Sequence, residues 1–376
     1  MQQSKHRSTS SMISLSKHQD RPDLRNLRGA RVVVTGATGF IGRHLCPELQ
    51  AHGATLVLFS RDRHAAHSAL FPNARTVRVD LRDREAICSA LGNVKPDVVF
   101  HLAGFVSGDR SVKAMARAFD GNVLPTASLL LSCAEKAPDT RVITTTSLDT
   151  SNPAREASRT GSAYGVSKLM VELLSGGLSR MHGLPFISAR VGMAYGPNDP
   201  NQRRLVPAVI ESLLRGESPR LGSGHRRCDW VYVDDVVTGL MAIAGLRSLP
   251  VPALDLGTGE LCSVREVAET IRHILGTPLA IHYDPALDRP NEQERGADIH
   301  HTRRLLGFHA HTELHAGLCR TVAWHRSQLA ERAPLVSGKA RRRTLSRPSP
   351  ESPVQPSAAR QDQTQFGTKQ TVRSRA

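Results

Sequence analysis

Residues 32–45, VVVTGATGFIGRHL, constrain this chain more tightly than any other stretch. Three valines and a threonine form a short β-branched run, and glycines follow at 36, 39 and 42 before a helix-like pattern begins. Each glycine has its own physical reason. Gly36 permits a tight turn out of the strand, Gly39 lets the backbone approach a pyrophosphate, and Gly42 lets the helix pack close to the strand. The helix start then offers N–H groups and the positive end of its dipole to phosphate. Between a strand and a helix the triplet predicts a dinucleotide site; in isolation it would be only a tight turn.

The rhythm set by this unit continues. Short apolar runs (RVVVTG, TLVLFS, RTVRVD, DVVFHLAG, RVITTTS and PFISARV) alternate with helix-length segments. Parallel strands require crossover helices, so the order predicts an α/β fold with a Rossmann-type doubly wound parallel sheet. After residue 197 the rhythm loosens. Segments 204–215, 234–246, 263–275 and 312–330 read as helices in a smaller, irregular α/β lobe on the carboxyl ends of the strands. The expected division is a basic tail over 1–28, a dinucleotide-binding domain over 29–197, a substrate-binding lobe over 198–330 with chain crossings between the lobes, and a Pro/Ser/Arg-rich tail over 331–376. Both tails read as solvated and disordered.

Charge decides which partners to expect. The formal net charge is +16, but residues 1–28 hold six Lys/Arg against two Asp/Glu and residues 331–376 hold ten against three, which leaves the body at +5. That suits a domain handling anionic small molecules better than one wrapped in nucleic acid. Phe366 is the sole aromatic beyond residue 330, so the tails lack the stacking platforms of single-strand binders. No apolar run approaches the roughly 18 residues of a spanning helix, and no secretory h-region follows Met1, so no membrane partner is expected and the cytoplasm is the expected compartment. The six cysteines stand singly, without CxxC or metal spacing, which predicts reduced thiols and no metal.

Dinucleotide type is set where the second strand ends, in LVLFSRD. A carboxylate there grips the ribose 2′-OH of NAD, whereas Ser60 and Arg61 offer a hydroxyl and a cation to a 2′-phosphate. NADP is favoured on this ground, and Asp62 keeps NAD open. Asp80 and Leu81 end the third strand, placed to meet the adenine edge; a helix N-cap within DLRDRE is the structural alternative.

SAYGVSK puts Tyr164 and Lys168 at i and i+4, on one face of a helix. A nearby ammonium and a positive nicotinamide ring both favour the phenolate, which makes the tyrosine a usable general base. Upstream, TTTS ends a strand and leaves Ser147 at the carboxyl edge of the sheet, where such folds bind ligands.

Taken together, TGATGFIG, VDLRD, VFHLAG, DRSV, NVLPTASLL, TTS, YGVSK, ARVGMAYGP, WVYVDDVV, LDLGTGELCSVREVAETI and LLGF make residues 30–322 similar to the extended short-chain dehydrogenase/reductases, within the NAD-dependent epimerase/dehydratase family acting on nucleotide sugars. The resemblance implies that Ser147 hydrogen-bonds the reacting hydroxyl, Tyr164 takes its proton and Lys168 binds the nicotinamide ribose. It implies cofactor contacts at Gly36, Gly39, Phe40, Ile41, Gly42, Arg61, Asp80, Leu81, Leu102, Ala103, Gly104 and Asn122, as well as at Tyr164 and Lys168. For Asn122 a helix-bending polar residue satisfied by backbone is the alternative. His101 is expected to be a satisfied core histidine. Pairing through the Tyr/Lys helix and the helix before it implies a homodimer.

Departures from the family pattern carry as much meaning. The 4,6-dehydratases of the family follow the Ser/Thr with Asp–Glu, whereas this chain has Leu148–Asp149, so dehydration is disfavoured. In the substrate lobe Cys228 replaces the usual arginine, with Arg226 and Arg227 beside it, and Met193 replaces an asparagine; Arg289–Pro290 keeps the late RP pair that can bracket a diphosphate. The expected activity is NAD(P)-dependent hydride transfer at a sugar hydroxyl of a nucleoside-diphosphate sugar, as an epimerase, reductase or dehydrogenase. Two alternatives stay open: an NADP-dependent carbonyl reductase on a non-sugar substrate, and a non-catalytic RNA-associated relative.

Overall fold

Seven parallel strands carry the fold, in the spatial order 253–256, 186–191, 141–147, 98–101, 31–35, 55–60 and 75–78. The computed structural model describes residues 22–61, 69–148, 150, 162–249, 251–289 and 294–341. Two compact units divide after Gln328, and every feature below belongs to the first except the last residues of the C-terminal helix, from Leu329 on.

The chain enters the sheet with β1 (Arg31–Thr35), whose Val32, Val33 and Val34 are wholly buried. A strand covered by helices on both faces needs such a continuous apolar run. Next come α1 (Phe40–Ala51), β2 (Thr55–Ser60), β3 (Arg75–Arg78), α2 (Arg84–Val94) and β4 (Val98–His101). Helix α3 (Val112–Ala118) runs through a π-helical segment, Phe119–Val123, into α4 (Leu124–Lys136). Strand β5 (Arg141–Ser147), helix α5 (Ala163–His182) and β6 (Phe186–Val191) complete the first pass. Polar side chains set the helix starts: Asp83 accepts from the Ala86 N–H at α2, and Ser162 accepts from the Gly165 N–H at α5.

Beyond residue 191 the chain builds smaller elements. Strand β7 (Met193–Tyr195), α6 (Leu205–Leu214), β8 (Arg220–Leu221), β9 (Arg227–Tyr232) and α7 (Val233–Gly245) precede β10 (Ala253–Leu256). The remainder is β11 (Leu261–Ser263), α8 (Val264–Leu275), β12 (His282–Tyr283), α9 (Ile299–Leu306) and α10 (Leu314–Arg341). A three-stranded sheet, β11-β9-β7, and the pair β12-β8 sit over a separate apolar core that includes Val209, Trp230, Ile271, Leu318 and Val322. Strand β10 instead returns to the large sheet beside β6, where Leu254 and Leu256 are buried. The four late helices expected from sequence are present. Helix α9, with Thr302 and Leu306 buried, was not expected, because HHTRR offers no apolar periodicity.

Register fixes where chemistry can sit. Thr35 pairs with Phe59 of β2 and His101 of β4, and His101 pairs with Thr144 of β5. The carboxyl ends of β1, β2 and β4 are therefore level to within a residue, β5 runs three residues further to Ser147, and Gly36, Arg61, Leu102 and Ser147 all lie at the carboxyl edge of the sheet.

Candidate active site

The glycine turn is shaped by its neighbours. Gly36 adopts φ +72°, and a Cβ there would stand 2.6 Å from the Ala103 nitrogen. A Cβ on Gly42 would lie 2.4 Å from the Gly36 carbonyl oxygen, so only glycine lets α1 start this close to the turn. Gly39 is the N-cap of α1 and provides no side-chain cap, which leaves the N–H groups opening at Phe40 and Ile41 without one.

Behind the turn runs a buried chain of hydrogen bonds with a fixed sense. The Ala103 N–H donates to Thr35 Oγ1 (3.2 Å), which lies 2.8 Å from His101 Nδ1; His101 Nε2 lies 3.0 Å from Thr126 Oγ1, which donates to the Asn122 carbonyl at 2.6 Å. Since the Thr126 hydroxyl proton is committed, His101 Nε2 must donate, and Nδ1 accepts from Thr35. A neutral imidazole satisfies every partner. Burial pushes the His101 pKa down to about 3, with the Lys168 charge adding to the effect. His101 is thus the satisfied core histidine expected, and it ties the first strand to the π-helical segment.

That segment delivers Asn122, whose side chain is buried. Its Oδ1 accepts from the Phe105 N–H (2.7 Å), and its Nδ2 donates to the Phe105 carbonyl (3.0 Å) and to Ser167 Oγ (2.8 Å). Ser167 in turn donates to the Tyr164 carbonyl at 2.7 Å. Asn122 therefore fixes the backbone after Gly104 and grips the first turn of α5. A Cβ on Gly104 would come within 2.8 Å of Asn122 Oδ1 and 3.5 Å of Lys168 Nζ. Leu102, Ala103 and Gly104 accordingly pass between the glycine turn and the lysine.

Tyr164 and Lys168 lie in the first turns of α5, and Ser147 ends β5 beside Val191. Lys168 Nζ is 5.7 Å from the Tyr164 ring centroid and donates to the Thr145 carbonyl at 2.8 Å. That bond, to the strand that ends at Ser147, brings the serine, tyrosine and lysine elements together. Burial pushes the Lys168 ammonium down to about 8.

At the far end of the turn, Arg61 is exposed just beyond β2, and its carbonyl accepts from Arg78 Nε at 3.2 Å. Asp80 receives Arg82 Nη2 at 2.6 Å and Nε at 3.0 Å, and this pairing, reinforced by the Arg61 charge, pulls its pKa down to about 2. The nearby helix cap is Asp83, not Asp80; Leu81 is buried.

The substrate-lobe candidates are more scattered. Met193 opens β7 and pairs with Trp230 of β9. Arg227 donates to the Leu261 carbonyl at 2.7 Å, and its own N–H donates to Glu294 Oε1. Arg226 precedes it at the strand entrance, and Cys228 is buried in the lobe core. The Arg289 guanidinium presses on Gly108, where a Cβ would stand 2.2 Å from Nη1, so this arginine meets the loop that leaves Gly104. Asp62, Asp149 and Pro290 lie outside the described residues.

Sequence reasoning missed Arg204. Its guanidinium binds Asp199 Oδ2 (2.8 Å), donates to the Ala194 carbonyl (2.5 Å), reaches Met193 Sδ (3.8 Å) and covers the Phe40 ring at 5.5 Å. It bridges a candidate cofactor residue and a candidate substrate residue. Nothing in PNDPNQRRLVP marks it, because every contact except Asp199 depends on the fold.

A model of the NAD dependent epimerase/dehydratase family matches residues 32–250. Among curated relatives, a UDP-glucose 4-epimerase of Mycolicibacterium smegmatis is 30% identical over 321 residues, covering 79% of this chain and 99% of the relative. A dTDP-4-dehydro-6-deoxy-D-allose reductase of a Streptomyces species is 29% identical over 322 residues, covering 79% and 97%. Among solved structures, the Thermus thermophilus UDP-glucose 4-epimerase in complex with NAD superposes with a TM-score of 0.68 at 27% identity, covering 79% of this chain and 99% of that one.

Proposed function

Since the chain belongs to the NAD dependent epimerase/dehydratase family, we propose that it transfers hydride at a hydroxyl of a nucleoside-diphosphate sugar, with Ser147, Tyr164 and Lys168 handling the proton. The observation that carries this reading is the Lys168 ammonium, buried beside the Tyr164 ring and anchored on the strand that delivers Ser147.

A dinucleotide fits the residues present. The steric cradle of Gly36 and Gly42 and the open N-terminus of α1 suit a pyrophosphate. Gly36, Gly39, Phe40, Ile41 and Gly42 would hold that part, Leu102, Ala103, Gly104 and Asn122 would line or shape the middle, and Arg61, Asp80 and Leu81 would meet the adenosine end. When bound, the nicotinamide supplies the hydride acceptor and donor. NADP is proposed over NAD because the exposed Arg61, just beyond β2, stands where a 2′-phosphate would lie.

The chain's own groups account for the proton. With its pKa near 8, Lys168 is still largely charged at neutral pH, and its field lowers the cost of ionising Tyr164. Tyr164 then removes the substrate hydroxyl proton, or returns it in the reverse direction, while Ser147 orients that hydroxyl. Met193, Arg226, Arg227 and Arg289 are proposed to contact the sugar nucleotide, with Arg289 bracketing the diphosphate. Leu148 is buried directly after Ser147, and an alkyl side chain cannot protonate a leaving hydroxyl. Two copies are proposed to pair through α4 and α5.

The test is to incubate the protein with NAD or NADP and a panel of nucleoside-diphosphate hexoses and their 4-keto derivatives. Hydrogen exchange, epimerisation or reduction at the sugar is expected, and the alkali-absorbing 4-keto-6-deoxy product is not. Turnover of simple ketones with NADPH, with none of any sugar nucleotide, would replace this reading with the carbonyl reductase.

A further inference from the structure

Helix α1 carries more than the glycine turn. His44, one turn beyond Phe40 and set edge-on to its ring (centroids 5.9 Å apart), points away from the cofactor cradle. Its Nδ1 lies 2.8 Å from Asp234 Oδ1 in the first turn of α7, and its Nε2 lies 2.9 Å from the Pro197 carbonyl, two residues past the end of β7. A carbonyl only accepts. The Asp234 carboxylate, 59% exposed, accepts as well. Both ring nitrogens must therefore donate, which a neutral imidazole cannot do.

We propose that His44 is a positioning residue: its imidazolium ties the helix that bears the glycine turn to the loop that follows Met193 and to α7, and it loses one of these bonds on deprotonation. The claim that this affects cofactor binding rests on the dinucleotide reading of the turn; the tie itself does not.

The charged groups around His44 are few. From α7 come Asp234, bonded directly, and Asp235, which is turned to accept the His311 and Thr312 N–H groups. From the Pro197 loop comes the Asp199–Arg204 pair, whose guanidinium covers the far side of Phe40. Helix α1 itself contributes Arg43, donating to the Thr38 carbonyl, and Glu48 one turn on. Among the described residues only Asp234 bonds the ring as a charge, and against the penalty of burial it and the Pro197 carbonyl raise the His44 pKa above 6.5.

The sign follows from that rise. A group with a raised folded-state pKa adds stability that is fully present below its unfolded value and is lost as pH rises through the folded value. The tie is closed in mild acid and loosens as pH rises through the raised folded value.

Histidine-selective 15N and 13C labelling of the full chain, with the His44 signal among seventeen histidines assigned by its loss in His44→Gln, reads the charge directly. A midpoint above 6.5 is expected, with both nitrogens protonated below it, and Asp234→Asn should move it to 6.5 or lower. Across the midpoint, NADPH affinity should fall about three- to tenfold more in the unmutated protein than in His44→Gln, the loss of one charge-assisted bond. A midpoint at or below 6.5, or an equal pH slope in His44→Gln, would overturn the proposal. A high midpoint with no NAD or NADP binding at any pH would support the tie and overturn the dinucleotide reading instead. If His44→Gln does not fold, the Asp234→Asn midpoint and pH slope decide alone.

Discussion

Burial and charge act against each other on Lys168. Removing the ammonium from water lowers its proton affinity, yet the group keeps enough of its charge at neutral pH to stabilise a neighbouring phenolate. The chain has four tyrosines, and burial raises the other three: Tyr283 to about 12, with Glu269 contributing, and Tyr195 and Tyr232 likewise upward. The phenolate absorbance that develops first as pH rises should therefore belong to Tyr164. We expect Tyr164→Phe to abolish both that absorbance and turnover while dinucleotide binding stays within about threefold, because only the proton-carrying oxygen is removed. Retained turnover in this variant would remove Tyr164 as the base. The spacing of Tyr164 and Lys168 was legible from sequence because i and i+4 share a helix face. The bond from Lys168 to Thr145 was not, since nothing local in AYGVSK specifies which strand lies beneath the helix.

At the scale of elements, the unit running from β1 through α1 was almost fully legible. Its apolar run and glycine spacing encode backbone conformations over a dozen residues. The structure adds the reason Gly36 is irreplaceable, which is the end of β4 pressing on it across 67 residues of chain. Alanine at 36 would need a left-handed φ and would overlap the Ala103 nitrogen. Gly36→Ala should cost about 2–4 kcal/mol in a urea titration, the sum of an unfavourable backbone region and a steric shift, and should abolish dinucleotide binding by fluorescence. A variant of unmutated stability that still binds would mean the turn can open without loss. The π-helical segment Phe119–Val123 was not legible in detail. Asn122 was singled out, but the extra residue in the turn that aims its amide at Phe105 and Ser167 follows from contacts with the loop after β4 and with α5.

For the whole molecule, three of the exposed large apolar residues lie on α4 and α5: Leu124 on α4 is 41% exposed, and Leu173 and Met181 on α5 are 55% and 70%. These are the two helices proposed to pair between copies, and a shared apolar face is the ordinary reason for leaving such side chains in water. Light scattering should therefore find a dimer, and Leu173→Glu combined with Met181→Glu should yield a folded monomer with an unchanged circular dichroism spectrum. A monomer before mutation would refute the pairing. No described helix is long and apolar enough to cross a membrane. Local spacing encodes the parallel α/β order, the glycine turn and the Tyr/Lys helix, because each is a periodic pattern within one or two elements. Packing between distant segments is what returns β10 to the large sheet, joins Phe40 to Met193 through Arg204, and brings His44 to partners 153 and 190 residues away. Such contacts join residues that are individually unremarkable, and their energy depends on distances that no local spacing encodes.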